Sequence, residues 1–180
     1  QQMWTKNKCE IVKCPELSDI SEIASHICNI KMCYLLPTLA SKNEVDKAIR
    51  ETEDVVLVLR FGRDTDSSCL QLDDILSKTA SDLVNMTAIF LVDIDKVPIY
   101  KQYFDISLIP STIFFFNGQH IKVDWGSPDH TKFVGSFKHK QDFIDVVEII
   151  YRSAMKGKVM VRSPLDPEDI PKYHLIYKDI

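Results

Sequence analysis

The chain of 180 residues has room for one domain of ordinary size and some tail; 45% of it is hydrophobic and 27% charged, the mix of a globular protein. With 22 basic and 26 acidic residues the net charge is −4, which excludes a general electrostatic pull toward nucleic acid or anionic membrane. No apolar run is long enough for a bilayer-spanning helix.

Residues 1–31 begin with Gln1 and lack a core pattern, the apolar stretch of a signal peptide and the Arg-rich character of a transit peptide. They are read as an extension outside the fold, poorly packed apart from a short helix near 20–30, with Met32 as the natural start. Four of the five cysteines, Cys9, Cys14, Cys28 and Cys33, lie in or beside this segment, and the body holds Cys69. A secreted disulfide framework would spread an even set through the fold, so the pattern fits a reducing compartment. Cys9 and Cys14 stand C-x4-C without a second pair of ligands, short of a structural zinc site.

From Met32 the elements alternate. A short strand is expected over 34–39. Ser41-Lys42-Asn43-Glu44 has the spacing of a capping box, and the helix after it turns Val45, Ala48 and Ile49 to one face. DVVLVLRF (54–61) and TAIFLVDI (87–94) read as strands covered on both faces. Between them, 67–86 carries a helical period through Leu70, Leu72, Ile75 and Leu76. A short helix is expected over 97–104, then a strand STIFFFN (111–117). Asn117-Gly118 makes a two-residue hairpin turn into a strand over 119–125. A polar loop runs to Lys138. A last helix over 139–155 has Phe143, Val146, Val147, Ile150 and Ala154 at helical spacing. Residues 157–180 contain three prolines and read as an extended tail with one or two anchors. The division is therefore an extension (1–31), a domain (32–156) and a tail (157–180). The order βαβαβαββα calls for an α/β fold, a mixed central sheet flanked by helices.

That order is the order of a thioredoxin-like fold. Thioredoxins place W-C-G-P-C at the start of the second helix; the matching stretch here is Thr65-Asp66-Ser67-Ser68-Cys69. Asp66 stands where the attacking cysteine would be, Arg60 where thioredoxins bury an acid, and Thr65 where the tryptophan would be. Ile109-Pro110-Ser111 resembles the segment whose proline is cis in that fold. A thiolate needs the exposed helix end, where the dipole lowers its pKa. A carboxylate there instead caps the helix. Cys69 is expected one turn in, as a small buried side chain; the alternative is a monothiol redox site.

The stretches LRFGRDTDSSCLQLDDIL, YFDISLIPSTIFFFNGQHIKVDWGSPDHTKFVGSF and IYRSAMKGK resemble the Dim family of thioredoxin-like pre-mRNA splicing proteins, and the tail SPLDPEDIPKY…IYKDI resembles one branch of it in particular. The resemblance spans residues 32–180. It implies a nuclear, non-enzymatic protein of the spliceosomal tri-snRNP, without cofactor or metal, needed for splicing and cell-cycle progression. It also implies association with the helical-repeat scaffold protein of that particle. Direct contact with RNA stays open.

Other residues receive a reading of their own. Phe114, Phe115 and Phe116 lack interleaved basic residues and are expected in the core. Lys132, Lys138, Lys140, Arg152, Lys156, Lys158 and Arg162 outnumber Asp142, Asp145 and Glu148; this stretch is a solvated face or a candidate surface for RNA or an acidic partner. Ser127-Pro128 and Ser163-Pro164 match proline-directed phosphorylation sites. The histidines are scattered and expected on the surface, and Asp73-Asp74 is expected to be solvated charge. The outer side of the 119–125 strand and the tail residues Ile170, Leu175 and Ile176 are read as a homodimer interface or a clasp on the body.

Overall fold

The computed structural model describes residues 35–173. The expected helix near 20–30, Met32 and its flanks, the four leading cysteines, and Leu175 and Ile176 lie outside the described residues. The elements run β1 (Thr38–Leu39), α1 (Lys42–Glu51), β2 (Val56–Gly62), α2 (Ser67–Ala80), β3 (Thr87–Asp93), α3 (Pro98–Tyr103), β4 (Ser111–Phe116), β5 (Gln119–Asp124), β6 (Phe133–Val134), α4 (Lys140–Ala154) and β7 (Met160–Arg162). The strand order is β1-β3-β2-β4-β5-β7, with β6 paired to β4. β1, β3 and β2 are mutually parallel, β4 is antiparallel to β2 and β5, and β7 is parallel to β5. This is the mixed sheet of a thioredoxin-like fold.

Local chemistry explains the elements. The Glu44 backbone N–H donates to Ser41 Oγ at 3.3 Å, and the Glu44 carboxylate accepts from the Ser41 N–H at 3.2 Å, which closes the capping box. β2 and β4 are buried along their whole length, the three phenylalanines of β4 included. Asn117 and Gly118 have φ of 47° and 75°, the pair of positive values that a two-residue hairpin turn demands. The Asn117 side chain also accepts from the Asp54 N–H at 2.7 Å, tying the hairpin to the start of β2.

The sheet divides the apolar residues into two cores. Val56, Val58, Ile89, Phe114, Ile121 and Val123 pack with Leu72 and Leu76 of α2 and Phe143, Val146, Val147 and Ile150 of α4. Leu57, Leu59, Phe61, Phe90, Val92 and Phe115 pack on the other face with Val45 and Ala48 of α1 and with Phe104 after α3.

Four expectations need correction. The first strand shrinks to Thr38–Leu39, because Pro37 has no N–H to give, though its carbonyl accepts from Leu91 at 2.9 Å. α2 ends at Ala80; Leu83 is buried through a turn, and the Met86 carbonyl is already accepting from Val56 at 2.8 Å. Leu70, expected on the apolar stripe, is 53% exposed. The fourth concerns the tail. β7 lies on β5 with Val161 opposite Val123, Leu165 and Ile170 pack on the core, and Pro171 sits against Gly135, where a Cβ would come within 2.9 Å of its Cγ. The outer side of β5 is therefore taken, and a homodimer through it would have to displace the chain's own β7. Ile170 acts as a clasp.

Candidate functional site

β2 delivers the chain to the N-terminus of α2. Asp66 is the N-cap, its Oδ1 accepting from the Cys69 N–H at 2.9 Å. That bond holds the Asp66 carboxyl below the usual carboxylate range. Ser67 and Ser68 are exposed. Cys69 is wholly buried, and burial pushes its thiol up to about 11. Its Sγ lies where Gly62 has no side chain: a Cβ on Gly62 would stand 2.5 Å from it and 2.8 Å from Arg60 Nη1.

Beneath this turn lies an ion pair that the sequence reading missed. Arg60 is 3% exposed and grips Asp73 with both arms of its guanidinium, Nε to Oδ1 at 2.7 Å and Nη2 to Oδ2. Burial pushes the Asp73 carboxyl up, and Arg60 opposes it. Asp73 is not solvated charge as expected, because α2 turns it inward toward β2; Asp74 does face solvent and pairs with Lys78. Outside, Arg63 and Asp95 make a second two-armed pair at 2.6 and 2.9 Å, joining the turn between β2 and α2 to the turn before α3.

The Ile109–Pro110 bond is cis. The Pro110 carbonyl accepts from Gly135 at 2.9 Å, and the buried Ser111 hydroxyl donates to the Leu108 carbonyl at 2.6 Å. The loop is thus braced by the segment that carries β6.

The basic residues do not form one surface. Lys132 is 8% exposed; its ammonium pairs with Asp129 at 2.6 Å and donates to the Phe104 carbonyl at 3.1 Å. It is a buried strut between the loop and the end of α3 and drops out of the candidate surface, because Asp129 and the Phe104 carbonyl hold its ammonium below the surface. Lys138 binds Asp169 at 2.6 Å and so fastens the tail, and Lys140 faces Asp82 at 3.7 Å. Arg152 pairs with Glu148 at 3.3 Å, while Lys156 and Lys158 are exposed in the turn after α4. The two remaining groups sit at opposite ends of α4, about 20 Å apart.

A cleft of about 720 Å³ opens between Tyr103, Leu108, His120, Lys122, Pro128 and Tyr173. His120 is not a solvated histidine as expected. Its Nε2 meets the Thr131 carbonyl at 2.8 Å, and its ring lies 5.4 Å from that of Phe115 and 5.6 Å from that of Phe104. Burial pushes its pKa below the usual histidine value. The alternation of β5 puts His120 on one face with Lys122 and Asp124 and so hid this burial, which comes from Phe104, Phe115 and Thr131. Among the described residues no cluster of His, Cys, Asp and Glu could hold a metal ion. His26 and His174 lie outside the described residues.

The family model described as "Mitosis protein DIM1" matches residues 35–167. Thioredoxin-like protein 4B of Mus musculus is 70% identical over 149 residues, 83% of this chain and all of that protein. Mitosis protein dim1 of Schizosaccharomyces pombe is 39% identical, over 75% of this chain and 95% of its own length. Spliceosomal protein DIB1 of Saccharomyces cerevisiae is 35% identical over 73% and 92%. Among solved structures, Plasmodium falciparum thioredoxin aligns with a TM-score of 0.51 at 15% identity, covering 63% of this chain and 97% of its own, which is a likeness of fold.

Proposed function

The chain belongs to the DIM1 family of mitosis proteins, and from that premise we propose that it is a non-catalytic binding module of the spliceosome, acting in pre-mRNA splicing and in cell-cycle progression. Its place is the nucleus, within the tri-snRNP, where it engages proteins that include the helical-repeat scaffold. The name of the Saccharomyces cerevisiae relative, spliceosomal protein DIB1, supports the spliceosomal assignment.

The observation that carries the non-catalytic part is the exchange of roles at the start of α2. Asp66 caps the helix with a bond to the Cys69 N–H at 2.9 Å, and the Cys69 thiol is buried and held protonated. Dithiol exchange requires an exposed thiolate at that helix end. A carboxylate neither attacks a disulfide nor leaves from one.

The test has two arms. The full chain, tagged and purified from nuclear extract, is expected to bring down tri-snRNP proteins with their small nuclear RNAs. In a dithiothreitol-driven insulin reduction assay it is expected to add nothing to the reductant. Turnover abolished by Cys69→Ser would replace this reading with a monothiol redox function, and a clean extract purification would remove the spliceosomal part.

A further inference from the structure

β7 ends the sheet, and its main chain makes the outer edge. The Val159 carbonyl accepts from Lys122 and the Ser163 N–H donates to Asp124, each at 2.9 Å. Residues 159, 161 and 163 thus turn their peptide groups toward β5. Strand alternation aims the N–H and C=O of Met160 and Arg162 the other way, and among the described residues no strand pairs with them. Such an edge is a template for an incoming strand.

The surroundings are apolar and positive. Met155, Val159 and Met160 are 59%, 49% and 50% exposed. Lys156 and Lys158 stand just before the strand, and its own Arg162 and the neighbouring Lys122 are exposed. Against these, Asp124 lies beside Arg162, where it also faces His130, and Glu148 is occupied by Arg152. Asp166 and Glu168 are exposed in the tail beyond, where Asp169 is occupied by Lys138.

We propose that this open edge receives an extended, acidic segment of a partner protein, added as one more strand beside β7. The main chain of Met160 and Arg162 supplies the pairing. Met155, Val159 and Met160 contact the segment's apolar side chains, and Lys122, Lys156, Lys158 and Arg162 select carboxylates between them. A nucleic-acid strand would use the charge but neither the peptide groups nor the apolar side chains, so the protein segment is the occupant. The proposal rests on the binding-module reading only in taking this protein to be one that others grip.

The probe is a phage-displayed library of random 12-residue peptides, selected on the immobilised full chain. Enriched peptides are then measured by fluorescence anisotropy. Expected are sequences with Asp or Glu alternating with apolar residues, whose binding protects the Met160 and Arg162 amides from hydrogen exchange. Met160→Pro removes an outward N–H without touching the bonds to β5, and is expected to weaken binding roughly fivefold or more. Lys156→Glu with Lys158→Glu, both on the surface, is expected to weaken it roughly tenfold, less at high salt. Failure to enrich acidic peptides overturns the proposal. So do binding unchanged in both variants, competition by an RNA oligonucleotide but not by an acidic peptide, or a Met160→Pro-sensitive homodimer in light scattering. Peptide capture with an empty extract purification would count against the spliceosomal reading alone; particles retained with no peptide capture would count against the edge alone.

Discussion

Arg60 of β2 and Asp73 of α2 form a two-armed ion pair below the first turns of α2, with Nε and Oδ1 2.7 Å apart. Helix and strand are locked to each other where thioredoxins work with sulfur. Removing one partner strands a charge in a site where Arg60 is 3% exposed. Asp73→Asn is therefore expected to cost about 3 kcal/mol, and Arg60→Met with Asp73→Leu to restore most of it. Urea denaturation of the two variants checks this; an Asp73→Asn protein as stable as the parent refutes it.

Gly62 and Cys69 share one space, with an added Cβ only 2.5 Å from Sγ. Gly62→Ala is expected to cost about 1–3 kcal/mol by overpacking. Adding Cys69→Ala removes the sulfur and should return part of that loss, leaving a non-additive cycle. The clash with Arg60 Nη1 at 2.8 Å keeps the rescue incomplete. Thermal melts of the four proteins measure the coupling.

With its thiol raised from 9.0 to about 11, Cys69 at pH 8 is ionised in roughly one molecule per thousand. Iodoacetamide is expected to spare it in the native protein and to label it in denaturant, as read by peptide mapping. The folded value exceeds the unfolded one. Its contribution to stability is accordingly complete below about pH 9 and is lost as the pH rises through 11. Cys69→Ala should flatten that alkaline loss.

His120 shifts in the opposite sense, since its charged form is disfavoured between two aromatic rings. A depressed histidine contributes stability above its unfolded value near 6.5 that disappears as the pH falls through the folded one. The parent is expected to lose stability more steeply than His120→Gln between neutral pH and pH 5. An NMR titration of the imidazole should give a midpoint below the ordinary histidine range, and a midpoint at or above it would contradict the burial described here.

Val161 is 7% exposed opposite Val123. Val161→Ala is expected to cost about 1–2 kcal/mol, and removal of residues 157–180 considerably more, since Leu165 and Ile170 leave the core as well. Chemical denaturation of both proteins tests whether the tail belongs to the stable unit.

The sequence revealed most where one chemistry repeats over many residues. The apolar runs of β2 and β3, the capping box at Ser41 and the Asn117-Gly118 turn are local signals, and the structure has each of them. Asp66 at the helix end was legible for the same reason. What stayed hidden depends on distant partners. β6 and β7 have two and three residues, too few for a period. Asp73 meets a residue thirteen positions away, and in a string of letters it looks no different from Asp74. Lys132 resembled the other lysines until the Phe104 carbonyl and Asp129 enclosed it.

Because β7 is translated after α4, the sheet is assembled in two instalments. While the ribosome has not yet released Met160–Arg162, the nascent domain carries β5 with a bare flank and Val123 without Val161 over it. A message cut short before those codons would leave that flank bare for good, a surface suited to aggregation and so to capture by the cell's quality control. Completion of the β5 edge thus waits on a strand made after α4.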